Sequence, residues 1–179
     1  MTASPRYLVH PSPVGDIVVV TLDDGIVALH PFEGPLEAEL ERIAFALHAV
    51  PVPETTAASA QATTQLDEYF AGTRRTFDLP LDWGGVRGFM RAALEAACRI
   101  PYGETASYGE VAIMAGRDRA ARAVGAACAR TPFSIVVPVH RVVRSDGTLG
   151  EYGGRPEVKR FLVEMEHDAL AREGRSPVV

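Results

Sequence analysis

Apolar and polar residues follow a strand-like period at the start of the chain. β-branched residues dominate residues 16–22, an Asp-Asp-Gly turn comes next, and a second apolar stretch covers residues 26–30. This pattern predicts a β-hairpin, and residues 7–10 are a third strand candidate. Apolar side chains at helical spacing from Leu36 to Leu47 predict a helix that covers one face of the sheet.

The pattern weakens after this helix and then becomes helical. Residues 51–60 are rich in Pro, Thr and Ala, which predicts a linker, and a short helix is expected at about residues 63–70. Helical spacing dominates from Val86 onward. We therefore predict an α+β chain in two domains. Residues 1–84 would form an N-terminal α/β domain with a small antiparallel sheet and a helix, and residues 85–179 a mostly helical C-terminal domain.

The C-terminal half contains signals for two consecutive helices. Ser107, followed three residues later by Glu110, forms a capping box, so a helix is predicted at residues 108–115, where Gly116 ends it. A second helix, rich in Ala and Gly, is predicted at residues 118–130. Two helices joined by a short turn that contains Gly are typical of a helix-turn-helix.

Residues 135–143 form the next apolar run, which predicts a buried strand. Pro138 interrupts the run, and a histidine and an arginine follow, so the strand would present polar groups at a site. A glycine-rich loop surrounds Tyr152. Pro156 then predicts the start of a last helix, which should continue through Glu166.

The charge is unevenly distributed. The net charge of −5 argues against a nucleic-acid partner, but it is an average over two different halves. Residues 1–85 contain 4 basic and 12 acidic residues, whereas residues 86–179 contain 14 and 11. An acidic half joined to a locally basic half is compatible with a DNA-binding domain and its companion domain.

Two further features concern the cellular compartment. No apolar run is long enough to span a bilayer, and the N-terminal residues lack the pattern of a signal peptide. Two cysteines are too few for a disulfide framework or a metal cluster, and they indicate free thiols in a reducing compartment. We therefore expect a cytoplasmic protein without a membrane partner.

Four motifs in the C-terminal half occur in the same order as in a known family. They are Pro101-Tyr102-Gly103-Glu104-Thr105, Arg119-Ala120-Ala121-Arg122-Ala123-Val124-Gly125, Pro138-Val139-His140-Arg141-Val142 and Glu151-Tyr152-Gly153-Gly154. Together they resemble the O6-alkylguanine-DNA alkyltransferase (methylated-DNA–protein-cysteine methyltransferase) family. Within these motifs Val139 departs, because it stands where the family carries its alkyl-accepting cysteine, and outside them Thr131 stands where the family usually has an asparagine.

The resemblance implies a recognition helix in the minor groove of double-stranded DNA and a damaged guanine flipped out of the stack. By position, Arg122 would fill the gap left by the base and Tyr108 would press on the target phosphate. The implied DNA-binding residues are Tyr108, Arg122, Ala123, Gly125 and Arg141. The implied lesion pocket consists of Thr131, Pro138, Val139, Tyr152, Gly153 and Gly154.

The resemblance also implies the chemistry. In the family, a histidine oriented by a glutamate deprotonates the cysteine through water, and the thiolate takes the alkyl group irreversibly. His140 and Glu166 match this pair, but Val139 has no nucleophile, so we expect recognition without transfer. Cys98 and Cys128 are expected to be small buried hydrophobes rather than substitute acceptors. Neither a metal nor a cofactor is expected.

The resemblance leaves alternatives open. The chain is similar to alkyltransferase-like proteins, which hand lesions to other repair machinery, and nucleotide-excision repair proteins are then expected partners of a monomer. It could equally be a repair methyltransferase in which valine replaces the acceptor cysteine. A helix-turn-helix transcription regulator is a rival from another class, although the Ala- and Gly-rich second helix offers few side chains for reading bases. A hydrolase using His140 and Glu166 is the weakest alternative.

Overall fold

The computed structural model of the protein describes residues 4–174, and the chain divides into two compact units between Asp82 and Trp83. The first contains β1 (Arg6–His10), β2 (Ile17–Leu22), β3 (Gly25–Pro31), α1 (Leu36–Leu47), β4 (Val52–Pro53) and α2 (Ala57–Phe70). The second contains a 3-10 turn (Trp83–Gly85), α3 (Gly88–Ala97), β5 (Ala106–Ser107), α4 (Tyr108–Met114), α5 (Ala121–Ala129), a 3-10 turn (Val139–Arg141), β6 (Val142–Val143) and α6 (Pro156–Arg172). The predicted α+β class is confirmed.

The first unit is a four-stranded sheet covered by helices. Strands β2 and β3 form the predicted hairpin, with the pairs Ile17↔Pro31 and Leu22↔Gly25 at its two ends. Strand β1 pairs antiparallel with β2, and the sheet order is β3-β2-β1-β4. The hairpin turn places Asp23 at φ 50°, a left-handed conformation that aspartate tolerates better than most residues.

Helix α1 has the predicted bounds and packs on the sheet. Val18, Val20 and Ile43 are buried in one cluster, against which Leu40 and Leu47 pack. Burial of each large apolar side chain contributes roughly 1.5–3 kcal/mol. The residue before the helix makes no side-chain cap. Packing on the sheet therefore holds this helix in place.

Residues 51–60 do not form the predicted linker. Strand β4 pairs parallel with β1 at the edge of the sheet, where proline is tolerated. Thr56 Oγ1 then accepts a hydrogen bond from Ser59 N at 3.1 Å, and Ser59 Oγ accepts one from Thr56 N at 2.9 Å. This capping box starts α2 at Ala57, earlier than predicted.

The second unit contains the two predicted consecutive helices. Ser107 Oγ accepts from Glu110 N at 3.2 Å, and Glu110 Oε2 accepts from Ser107 N at 2.7 Å, so the predicted capping box starts α4. Helix α5 begins at Ala121 rather than at residue 118, because Arg119 has φ 62°, which a right-handed helix excludes. Helices α3, α4 and α5 pack against one another.

The predicted strand over residues 135–143 is wrong. Ile135 has φ 75°, a conformation that is rare for a β-branched residue and incompatible with a strand. Ser134 and Val137 form an isolated bridge, and only Val142–Val143 pairs with β5. The apolar side chains of this run are mostly buried nonetheless. Its apolar pattern therefore indicated burial, which several backbone geometries can satisfy.

Helix α6 begins at Pro156 as predicted but continues past Glu166 to Arg172. Its core-facing stripe consists of residues four apart, namely Val158, Leu162, Glu166 and Leu170. A glutamate in an apolar stripe needs buried partners. Within residues 4–174 no helix is both long and apolar enough to cross a membrane. Residues 1–3 of the N-terminus, for which no signal pattern was expected, lie outside the described residues.

Candidate functional site

A carboxylate buried on α6 lies at the centre of the site. Glu166 is 1% exposed. Arg141 donates to it twice, from Nε to Oε2 and from Nη2 to Oε1, both at 2.9 Å. His140 Nε2 lies 2.8 Å from Oε1. These contacts anchor the 3-10 turn, which also contains Val139, to the last helix.

Backbone groups complete this cluster. Gly103 N donates to Glu166 Oε2 at 3.0 Å, and Arg141 Nη1 donates to the carbonyl of Ile100 at 2.8 Å. Gly103 has φ 79°, and a Cβ added there would overlap the side chain of Leu170. Glycine is therefore required where the loop between α3 and β5 approaches α6.

The surroundings of the cluster determine its charges. Burial opposes ionisation of Glu166, but the hydrogen bond from His140 and the positive charge of Arg141 outweigh burial and hold the pKa of the carboxyl below its usual range. Burial lowers the pKa of His140, and Glu166 only partly opposes this. The site therefore contains an ionised glutamate and a neutral imidazole, and Nε2 of the imidazole donates to the carboxylate. A neutral imidazole so oriented can accept a proton.

The prediction that Arg141 contacts DNA is wrong. The side chain is buried, and its nitrogens bond Glu166 and the carbonyl of Ile100. Its guanidinium carbon lies 5.6 Å from the centre of the Tyr102 ring. A guanidinium enclosed in this way cannot reach a phosphate, and it neutralises Glu166 instead.

Val139 precedes His140 in the turn and is 3% exposed. Its backbone N donates to the carbonyl of Val137 at 2.8 Å, and the N of Arg141 donates to the carbonyl of Pro138 at 3.0 Å. The valine is thus held rigidly beside the histidine. Its side chain has neither a lone pair nor an acidic proton, so no environment can make it a nucleophile.

Neither cysteine lies in the turn that contains Val139, since Cys98 follows α3 and Cys128 belongs to α5. Cys98 is exposed, contrary to the expectation that it is buried, and Cys128 is half-buried. Desolvation raises the pKa of both thiols to about 11. Both therefore stay protonated at neutral pH, where the thiol is a poor nucleophile.

Tyr108, at the start of α4, has a glycine near its ring and another near its hydroxyl. A Cβ added to Gly125 of α5 would lie 3.8 Å from its ring, and one added to Gly150 would lie 3.4 Å from its hydroxyl oxygen. Desolvation raises the pKa of Tyr108, so its hydroxyl is a donor at neutral pH. The predicted residues Tyr108 and Gly125 are therefore neighbours, and a larger residue at position 125 would touch the tyrosine ring.

Sequence reasoning missed Lys159, the only lysine of the chain. It is 1% exposed, and its Nζ donates to the carbonyl of Val142 at 2.6 Å. The same Nζ lies 5.6 Å from the centre of the Tyr108 ring. Its position seven residues before Glu166 on a predicted helix was an available signal, because that spacing places both on one face.

The glycine-rich loop contacts the segment before the 3-10 turn. The hydroxyl of Tyr152 is buried and lies near the side chain of Ser134 and the backbone of Ile135, although it makes no hydrogen bond within residues 4–174. Desolvation raises the pKa of this tyrosine. Thr131 Oγ1 accepts from Phe133 N at 3.2 Å at the start of the same segment. Gly153 and Gly154 follow Tyr152, both exposed and both at positive φ.

The remaining predicted residues lie on the surface of α5. Arg122 and Ala123 are exposed, whereas Val124 and Ala127 face the core. The structure thus places His140 within hydrogen-bond distance of Glu166. It also places Tyr108 beside Gly125, and Tyr152 beside the segment that begins at Thr131. It leaves Arg122 open to a partner. Residues 4–174 contain no group of three His, Cys, Asp or Glu side chains placed to bind a metal ion.

Family models match almost the whole chain. The ribonuclease-like domain of 6-O-methylguanine DNA methyltransferase matches residues 6–83, and the DNA binding domain of the same protein matches residues 88–168. These two ranges correspond to the two compact units of the structure.

Individual relatives agree with the family models. The methylated-DNA–protein-cysteine methyltransferase of Methanosarcina acetivorans is 34% identical over 89% of this chain and 97% of its own length. The protein of that name from Mycobacterium leprae is 47% identical over 63% of this chain and 68% of its own. The crystal structure of Mycobacterium tuberculosis OGT in complex with DNA has a TM-score of 0.75 and 35% identity, covering 93% of this chain and 94% of that one. The chain therefore belongs to the 6-O-methylguanine DNA methyltransferase family.

Proposed function

We propose that the protein binds double-stranded DNA and recognises O6-alkylguanine without accepting the alkyl group. One observation carries this proposal. The buried group formed by His140, Arg141 and Glu166 is complete, yet the residue beside the histidine is a valine. Where the family resemblance places an acceptor cysteine, the chain therefore retains the supporting groups and lacks the nucleophile.

The DNA-binding half of the proposal rests on α4 and α5. Relatives named methylated-DNA–protein-cysteine methyltransferases and the OGT structure with bound DNA support a DNA partner. Helices α4 and α5 would act as a helix-turn-helix. The exposed face of α5 offers Arg122 and Ala123, and small side chains there suit a minor groove only about 6 Å wide. Arg122 would take the place of the flipped guanine.

The lesion-recognition half rests on Val139, Tyr152 and the two glycines that follow Tyr152. A valine in place of a thiol leaves an apolar surface at the point where an alkyl group would lie. Each buried methylene contributes roughly 0.8 kcal/mol, which corresponds to about fourfold in affinity. A damaged base also pairs less well, so flipping it costs less.

A competition titration at fixed salt tests this function. A duplex containing O6-methylguanine should bind at least about fourfold more tightly than the same duplex with guanine, and an O6-ethyl group should add about another fourfold. Equal affinities for the three duplexes would defeat lesion recognition. Binding that instead depended on the surrounding base sequence would favour a helix-turn-helix regulator.

The proposal extends to cellular context. If the protein binds a lesion and cannot repair it, other proteins must complete the repair. We propose that nucleotide-excision repair proteins are these partners. We propose that the protein is a monomer located in the cytoplasm. A repair methyltransferase whose acceptor cysteine had been replaced by valine would bind the same DNA, so restoring the cysteine separates the two accounts.

A further inference from the structure

The turn after β6 brings a second donor next to Tyr108. A Cβ added to Gly150 would lie 3.4 Å from Tyr108 Oη and 3.6 Å from Arg144 Nε. The two donors therefore flank the same backbone position and cannot be further apart than the sum of these distances. Gly150 has φ 73°, so glycine both provides the space and adopts the required backbone conformation.

Packing surrounds the Tyr108 ring, and a hydrogen-bonded turn orders the backbone of Arg144. The Tyr108 ring packs near Gly125 on α5 and near Lys159 Nζ on α6. Arg144 begins a tight turn in which its backbone N donates to the carbonyl of Thr148 at 2.9 Å and its carbonyl accepts from Gly147 N at 2.9 Å. The Tyr108 ring and the backbone that carries the Arg144 side chain are therefore in place before any ligand arrives.

The Arg144 side chain is available for a ligand. It is exposed, and no carboxylate in residues 4–174 lies within ion-pair distance of it. Asp146 and Glu151 are the nearby acidic groups. Asp146 Oδ1 is engaged by the backbone N and hydroxyl of Thr148, at 2.9 and 2.7 Å. Glu151 is exposed and opposes anion binding only weakly through solvent.

We propose that Arg144 is a further positioning residue for DNA, and that its guanidinium and the Tyr108 hydroxyl bind one and the same backbone phosphate. Guanidinium and phenol groups are both donors, and a phosphate presents several acceptor oxygens within reach of two such neighbours. The buried ammonium of Lys159 adds positive charge behind them without contacting the ligand. This inference rests on the proposed function, because it requires DNA as the partner.

Salt titrations of the full chain test the contact. Arg144→Ala should weaken binding to a lesion duplex about tenfold and reduce the slope of log K against log salt by about 1. Arg172→Ala is the matched control, since it removes an exposed arginine from the far end of α6, about 20 Å from Lys159 along the helix. An unchanged slope in Arg144→Ala would overturn the proposal.

A methylphosphonate scan identifies the phosphate. Phosphates on both sides of the lesion are made uncharged one at a time, and each duplex is titrated with wild type, Arg144→Ala and Tyr108→Phe. On the duplex in which the shared phosphate is uncharged, both variants should bind as tightly as wild type, because that duplex has already lost the contact that each variant removes. If the loss of affinity caused by the methylphosphonate adds to the loss caused by each substitution at every position, the proposal of a shared phosphate is overturned. The lesion preference of wild type, measured in the same titrations, judges the proposed function separately.

Discussion

Arg141 and Glu166 are joined by two parallel hydrogen bonds of 2.9 Å in a region from which solvent is almost excluded. A carboxylate with this exposure needs a fixed cation to stay ionised. An ionised Glu166 in turn holds the His140 imidazole in the tautomer that donates from Nε2. The ion pair therefore controls both the stability of the second unit and the proton chemistry of the site.

Loss of the arginine should be costly. Arg141→Met leaves Glu166 buried without its cation and should lower the free energy of unfolding of the second unit by about 3–5 kcal/mol. Urea unfolding followed by the fluorescence of Trp83, which packs 5.2 Å from the Phe133 ring, measures this. The double variant Arg141→Met/Glu166→Gln should recover part of the loss. A change under about 0.5 kcal/mol, as expected for the surface control Arg172→Ala, would contradict the account.

Restoring a thiol should restore transfer. Wild type incubated with radiolabelled O6-methylguanine DNA should stay unlabelled, because Val139 offers no nucleophile. Val139→Cys should take up one methyl group per chain: the thiol gives its proton to His140, the thiolate bonds the methyl carbon as the bond between that carbon and O6 breaks, and the guanine, still in the DNA, keeps the electron pair and is protonated. Val139→Ser is the matched control and should stay unlabelled, since a hydroxyl is far less nucleophilic. Label on Cys98 or Cys128 of wild type would contradict the expectation.

The single lysine allows a direct titration. Burial lowers the pKa of Lys159 to about 8. Since this folded value lies below the unfolded one of 10.5, the unfolded state binds more protons between the two, and this group makes stability rise with pH across that window. The two cysteine thiols, whose pKa is raised, act in the opposite direction, so the quantity to measure is the difference in stability between wild type and Lys159→Met.

Lysine labelled with carbon-13 gives one signal in the NMR spectrum, because the chain contains one lysine. The pH titration of this signal should have its midpoint near pH 8, well below the midpoint of a free lysine at about 10.4. A midpoint above pH 10 would show that the ammonium is solvated and would remove the predicted rise in stability.

Arg122 should support base flipping rather than general attraction to phosphate. Arg122→Ala should abolish the fluorescence increase of 2-aminopurine at the flipped position and leave most of the salt-dependent binding. Arg130, at the end of the same helix, provides the control, and Arg130→Ala should keep the fluorescence increase. Equal loss of fluorescence and binding in Arg122→Ala would identify an ordinary phosphate contact.

The sequence alone determined the elements whose signals are local. The hairpin of β2 and β3, the bounds of α1, the capping box formed by Ser107 and Glu110, and the start of α6 at Pro156 all follow from residues a few positions apart. Such patterns report turn chemistry, caps and apolar faces, which depend on near neighbours. The ordered motifs also indicated the family.

The tertiary structure decided what depends on residues far apart in the chain. Composition could not show that residues 52–53 pair with β1, nor that Ile135 adopts a left-handed backbone in the middle of an apolar run. The family resemblance implied a DNA contact for Arg141, yet its guanidinium binds Glu166, 25 residues away. No residue close to Lys159 in the chain indicates that the carbonyl of Val142, 17 residues away, accepts a hydrogen bond from its ammonium. Charge and hydropathy describe a residue, whereas its burial depends on which distant segments pack around it.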